Sequence, residues 1–128
     1  EFDTVLHTNG LAAMRLLPLV AGHLAPGARL GVLSSRMGSI GLRNATGGWL
    51  YRASKAALNS LLKDTSIELA GRAICATFHP GWVKTDMGGA QATLDVTTSA
   101  ADLRRTLQTL KPEQSGGFFN HDGQPLAW

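Results

Sequence analysis

The sequence predicts an α/β layer structure with a parallel sheet of the doubly wound kind, with about three strands and three helices present. Helical and strand-like segments alternate along all 128 residues, the pattern of strands linked by crossover helices. Two runs, Arg29–Ser34 and Ala73–His79, carry no polar/apolar alternation, as expected for strands buried on both faces. The chain opens inside a helix, without a preceding strand and without a GxGxxG or GxxxGxG turn. It therefore reads as one domain portion, residues 1–128, forming the C-terminal half of a larger domain whose N-terminal, dinucleotide-binding half is absent.

Each element has its own signal. Residues from about Glu1 to Leu24 read as a helix through Val5, Leu6, Ala12, Ala13, Leu16, Leu17 and Val20. Gly10 and Pro18 weaken and kink it. Pro26-Gly27 breaks the chain before the first strand, Arg29–Ser34. Arg36 to Trp49 is a glycine-bearing loop. Leu50 to Ala70 is the strongest helix, with Ala53, Ala57, Leu58, Leu61, Leu62 and Leu69 on its apolar positions and Gly71 ending it. Ala73–His79 is the second strand, stopped by Pro80-Gly81. Val83 to Leu94 is irregular. Thr98-Ser99 is expected to cap a helix reaching about Leu110. Gly117–Asn120 is a short third strand, and Gly123–Trp128 a tail.

Composition bounds the function. Hydrophobic residues are 44% and charged residues 16%, which suits a globular chain with large buried surfaces. The net charge of +3 is spread without a basic run or stripe, so no nucleic-acid partner is expected. No apolar stretch reaches the ~18 residues of a membrane span, and no signal peptide is visible. Cys75 is the single cysteine and has no disulfide partner in the chain; it reads as a small buried hydrophobe. A cytoplasmic location is expected. Asn44-Ala45-Thr46 fits a glycosylation sequon, read as coincidence in that setting. His7, His23, His79 and His121 lack metal-ligand spacing, so no metal site is expected.

The chemistry concentrates in Tyr51-Arg52-Ala53-Ser54-Lys55. Residues four apart share a helix face, so a phenol and an ammonium converge. A neighbouring ammonium favours the phenolate form of a tyrosine, which suits proton exchange with a carbonyl oxygen. Upstream, Ser34-Ser35 ends a strand; a hydroxyl there orients a carbonyl oxygen by donating a hydrogen bond. Strand neighbours face opposite sides, so only one of the two serines is expected to enter the site. Downstream, Pro80-Gly81-Trp82-Val83-Lys84-Thr85 follows a strand end, where ligands sit in open parallel sheets. Taken singly, each has a plain reading: a surface tyrosine and lysine, a helix-surface amide at Asn9, an ordinary strand–loop turn. A serine protease is excluded by the lack of GxSxG and of a His/Asp pair placed to serve the serine.

Together the motifs resemble those of the short-chain dehydrogenase/reductase family. The stretches SSRMGSIG, YRASK, HPGWVKTDMGG and DGQPLAW look closest to its C-factor and carbonyl-reductase-like subgroup, and the resemblance covers all 128 residues. It implies a Rossmann-like domain and reversible hydride transfer between a nicotinamide, NADP or NAD, and a small carbonyl or alcohol substrate. It implies Asn9, Ser35, Tyr51 and Lys55 as catalytic residues. Tyr51 exchanges the proton, Lys55 tunes it and holds the ribose, Ser35 orients the carbonyl, and Asn9 maintains a water-linked proton path. Asn9, Tyr51, Lys55, Pro80, Gly81, Val83 and Thr85 are implied at the cofactor. Ser35-Arg36-Met37-Gly38 fits the Ser-x-x-Gly register, and Ser34 does not. The interval from Ser35 to Tyr51 is about three residues longer than usual in the family, so the loop is expected to bulge at the substrate rim. Thr8-Asn9-Gly10-Leu11-Ala12 departs from NxxG at Ala12. Met87 to Leu94 is implied as a mobile substrate loop hinged at Gly88-Gly89. Trp82 and Leu126-Ala127-Trp128 read either as walls of an apolar substrate pocket or, equally, as plain packing. A homodimer or tetramer through the helices carrying Asn9 and Tyr51 is implied by analogy. The chain on its own is expected to be inactive. A non-catalytic signalling or interaction protein that keeps the fold is the alternative.

Overall fold

The computed structural model describes all residues, Glu1–Trp128. Three parallel strands, β1 (Ala28–Leu33), β2 (Ala73–His79) and β3 (Gly117–Asn120), form one sheet in the order β1-β2-β3. The register runs from Ala28 opposite Ala73 to Leu33 opposite Phe78, then from Ala76 opposite Gly117 to His79 opposite Asn120. Helices cover both faces, as a doubly wound sheet requires. On one face, Leu62 and Leu69 of α3 (Trp49–Glu68 and its C-cap) pack on Ala73 and Cys75 of β2, joined by Ala21, Leu24, Leu30 and Val32. On the other, Ile74, Ala76 and Phe78 meet Phe119, Leu110 and the α4 residues Leu103 and Leu107; α4 spans Val96–Thr109. Cys75 is fully buried, as its apolar surroundings predict.

The central strand β2 is buried along six of its seven residues, as a non-alternating run predicts. β1 departs from that expectation. It starts and ends one residue earlier, and its burial alternates between half-buried and exposed. It is an edge strand: Leu30 and Val32 face the well-covered side, while Leu33 stays 58% exposed.

The first helix is also not continuous. It consists of α1 (Phe2–Leu6), a π turn (His7–Leu11) and α2 (Ala12–Ala21), ending three residues before Leu24. The interruption falls around Gly10 as expected, whereas Pro18 stays inside α2. α3 starts after Gly48, whose φ of +62° favours a residue without Cβ. At the start of α4 the cap is Asp95, not Thr98-Ser99: its carboxylate accepts from the Thr98 N–H at 2.7 Å and the Thr98 hydroxyl at 3.0 Å. The aspartate wins because it precedes the first helical residue and reaches the orphan N–H groups of the first turn.

Candidate active site

A cavity of about 620 Å³ opens beyond the C-terminal ends of β1 and β2. Its wall includes Ser34, Ser35, Tyr51, Pro80, Gly81, Val83 and Thr85. Asn9 and Lys55 do not line it. They stand one layer behind.

The spacing in the Tyr51–Lys55 segment does what helix geometry requires. The Lys55 ammonium lies 5.8 Å from the centroid of the Tyr51 ring. Lys55 is half-buried, and burial holds its ammonium below the ordinary lysine range. Asn9 reaches the same helix from the π turn. Its amide donates to the Ser54 hydroxyl at 3.0 Å, and that hydroxyl donates to the Tyr51 carbonyl at 2.8 Å. Asn9 is thus tied to the tyrosine's backbone through Ser54, which is fully buried. Nothing in the sequence marks Ser54 for this role, because its partner lies 45 residues away.

Both serines line the cavity, against the expectation that only one does. Strand alternation does not apply to them because β1 ends at Leu33. Their hydroxyls differ instead. The Ser35 hydroxyl accepts from the Met37 N–H at 3.1 Å, capping a 3-10 turn over Arg36–Gly38. The Ser34 hydroxyl is buried with no hydrogen-bond partner. The glycine of the Ser-x-x-Gly pattern also has a physical reason: a Cβ on Gly38 would sit 2.9 Å from the Lys55 backbone and Cβ. Only glycine lets this loop lie against α3 beside the lysine. The loop reaches the cavity rim through Met37, Leu42 and Asn44.

The Pro80-Gly81 turn is fixed from behind. The Ser99 hydroxyl donates to the Pro80 carbonyl at 2.7 Å, so Ser99 is an anchor of this turn and not a helix cap. Gly81 has φ +90°, and a Cβ there would meet Leu94 at 2.7 Å and the His121 ring at 3.1 Å. His121 is held in turn by Asp102 at 2.8 Å. Its hydrogen bond, followed by that from Arg105, keeps the Asp102 carboxyl below the usual carboxylate range. His79, at the end of β2, accepts the Arg36 N–H on Nδ1 at 3.1 Å. Burial, then the Arg36 guanidinium, then His121 push His79 down to about 4, so its ring is neutral near pH 7.

The segment after Val83 is tied: Trp82 Nε1 donates to the Gly88 carbonyl at 2.8 Å, and the Gly88 N–H donates to the Thr85 hydroxyl at 3.1 Å. Leu94 is bonded to both Trp82 and Lys84. Gly88 has no room for a side chain, because a Cβ would fall 1.8 Å from the Val83 carbonyl oxygen. Gly88-Gly89 forms a hydrogen-bonded turn in this segment. Trp82 lines the cavity, but Trp128 does not. Trp128 stacks on Phe118 with centroids 5.6 Å apart. Its main-chain oxygen accepts from the Gly41 N–H at 2.7 Å, while the Ser39 hydroxyl donates to Ala127 O at 2.6 Å. The tail braces the loop that follows Ser35.

The family model described as enoyl-(acyl carrier protein) reductase matches residues 1–117. The chain belongs to the short-chain dehydrogenase/reductase family. Among curated relatives, it is 38% identical to C-signal of Myxococcus xanthus over 123 residues, covering 94% of this chain and 74% of that one. Among solved structures it superposes on the carbonyl reductase Sniffer of D. melanogaster with a TM-score of 0.83 and 42% identity, over 96% of this chain and 55% of that one. The carbonyl reductase from Pseudomonas aeruginosa PAO1 in complex with NADP gives a TM-score of 0.81 and 35% identity, over 99% and 56%. The chain thus spans little more than half the length of these solved relatives. No helix is long and apolar enough to cross a membrane. No group of three or more His, Cys, Asp or Glu residues is placed to hold a metal ion.

Proposed function

We propose that the intact protein is an NADP(H)-dependent oxidoreductase that interconverts a small carbonyl compound and its alcohol. The carrying observation is Tyr51 in the wall of the cavity shared with Ser34 and Ser35, with the Lys55 ammonium 5.8 Å from its ring centroid. The wall also fits the nicotinamide end of the cofactor. The Ser34 hydroxyl, buried and without a partner in the chain, and the Gly81 turn, which has no room for a side chain, both belong to that wall. The complex of the Pseudomonas carbonyl reductase with NADP supports NADP as the cofactor of this protein.

The nicotinamide supplies or accepts the hydride. Tyr51 Oη donates the proton to the carbonyl oxygen in reduction and takes it back in oxidation. Lys55 stabilises the phenolate left behind and, with Asn9, holds the route by which that proton is replaced. The Ser35 hydroxyl, already accepting from Met37, keeps its own proton to orient the substrate oxygen. Pro80, Gly81, Val83 and Thr85 form the wall against the nicotinamide; the Thr85 hydroxyl accepts from the Gly88 N–H at 3.1 Å and donates to the Val83 carbonyl at 3.5 Å. The intact protein is proposed to be a homodimer or tetramer. Exposed Met14, Leu16 and Leu19 on α2 give that assembly an apolar face.

Tyr51→Phe tests the proposal. It keeps the ring and removes the transferable proton, so NADPH oxidation with a panel of aldehydes and ketones is expected to fall by at least ~10²-fold, with little change in melting temperature. Turnover near wild type would overturn the role given to Tyr51. The likeness to C-signal supports a second reading, a signalling protein that keeps the fold. A signalling output untouched by Tyr51→Phe would favour that reading over the enzymatic one.

A further inference from the structure

The charge on the cavity wall is one-sided. Arg36 and Arg52 line it, and no aspartate or glutamate does. The Arg36 side chain makes no hydrogen bond or ion pair with the rest of the chain; its carbonyl accepts from the Ser39 N–H, and its own backbone N–H donates to His79. That bond fixes residue 36 at the rim, directly after Ser35. Arg52 follows Tyr51 and spends one donor, Nε, on the Gly47 carbonyl at 2.8 Å, leaving the rest of its fork free. The ion pair of the molecule lies elsewhere, between Arg105 and Asp102 on α4, whose carboxylate also hydrogen-bonds His121. His79, the remaining ionisable group of basic type on the wall, is neutral near pH 7 and neither adds to nor cancels this charge. Beyond the arginines the wall is largely apolar, with Met37, Leu42, Trp82, Met87 and Val96.

Two uncompensated guanidinium groups flank the serine and the tyrosine that would meet the reacting oxygen, and an otherwise apolar wall makes each charge count for more than in open water. We propose that the substrate of this site is an apolar carbonyl or alcohol compound carrying an anionic group, a carboxylate or a phosphate, which Arg36 binds with help from Arg52. Guanidinium is suited to this by its planar, bidentate fork. The inference rests on the oxidoreductase reading for the identity of the reacting group, but not for the charge preference.

The test uses the intact protein with three matched aldehydes: 4-carboxybenzaldehyde, 4-formylphenyl phosphate and the isosteric neutral 4-formylbenzamide. The kcat/KM ratio of either anion to the amide is expected to exceed about tenfold, and to fall by about tenfold in Arg36→Gln while Arg36→Lys keeps part of it. Raising the salt concentration should shrink the preference in the wild type. The two anions tell carboxylate from phosphate. Calorimetric binding of the same aldehydes gives the comparison without turnover. A protein that binds the anions preferentially yet oxidises no NADPH keeps this inference and loses the reductase reading. Equal handling of acid and amide, or a ratio unmoved by Arg36→Gln, overturns the inference. So does an Arg36→Gln variant whose only defect is weaker NADPH binding, since the charge would then serve the cofactor.

Discussion

His79 shows how much one side chain is bent by its place. Accepting the Arg36 N–H requires an unprotonated Nδ1, and burial beside that cation pushes the ring down to about 4 from 6.5. Between those values the unfolded chain binds a proton that the folded chain refuses, so stability is complete above about pH 6.5 and is lost progressively as pH falls toward 4. Melting temperature is therefore expected to drop across that window. His79→Asn, which keeps an acceptor near the Nδ1 position, should flatten the drop; an unchanged pH profile in the variant would refute the assignment. None of this was legible in the sequence, where His79 is only a residue before a proline. Tyr51 and Lys55 were legible, because helix periodicity alone brings them together. The two serines were legible as a pair but not in their roles, since those depend on β1 ending one residue before Ser34.

Among the elements, the Pro80-Gly81 turn depends on Ser99 of α4, 19 residues beyond Pro80. Ser99→Ala would leave the Pro80 carbonyl without its donor, a loss of about 1 kcal/mol. The expected result in the intact protein is a lower melting temperature together with a raised KM for NADPH. Asp95→Ala removes the cap of the same helix, at a similar cost of about 1 kcal/mol, without touching the turn. It should lower the melting temperature and leave that KM alone. If the two variants behave alike, Ser99 acts only through helix stability. The helices and the buried strand β2 were readable from periodicity and from glycine and proline stops. The π turn was not: Gly10 signals a weak place in a helix, but the surplus residue that turns Asn9 toward Ser54 is set by packing on α3.

For the molecule as a whole, the alternation of elements was enough to predict a sheet covered on both faces. The edge position of β1 followed from pairing that no local pattern encodes. The 128 residues on their own carry an open β1 edge, an exposed Leu33, and the exposed α2 residues Met14, Leu16 and Leu19. Under the proposed function they would meet only the nicotinamide end of the cofactor, since their sequence carries no glycine turn for a pyrophosphate. The isolated chain is expected to scatter light as an associating species and to show no micromolar NADPH binding by fluorescence titration. A clean monomer that binds NADPH at micromolar concentration would contradict both expectations. The brace between the tail and the loop after Ser35 has a separate consequence. Ala127 and Trp128 hold Ser39 across 88 and 89 residues of sequence, from the far end of the chain. A change that pulled Ala127 and Trp128 off Ser39 would never approach the cavity, yet it would slacken the loop that forms one of its walls.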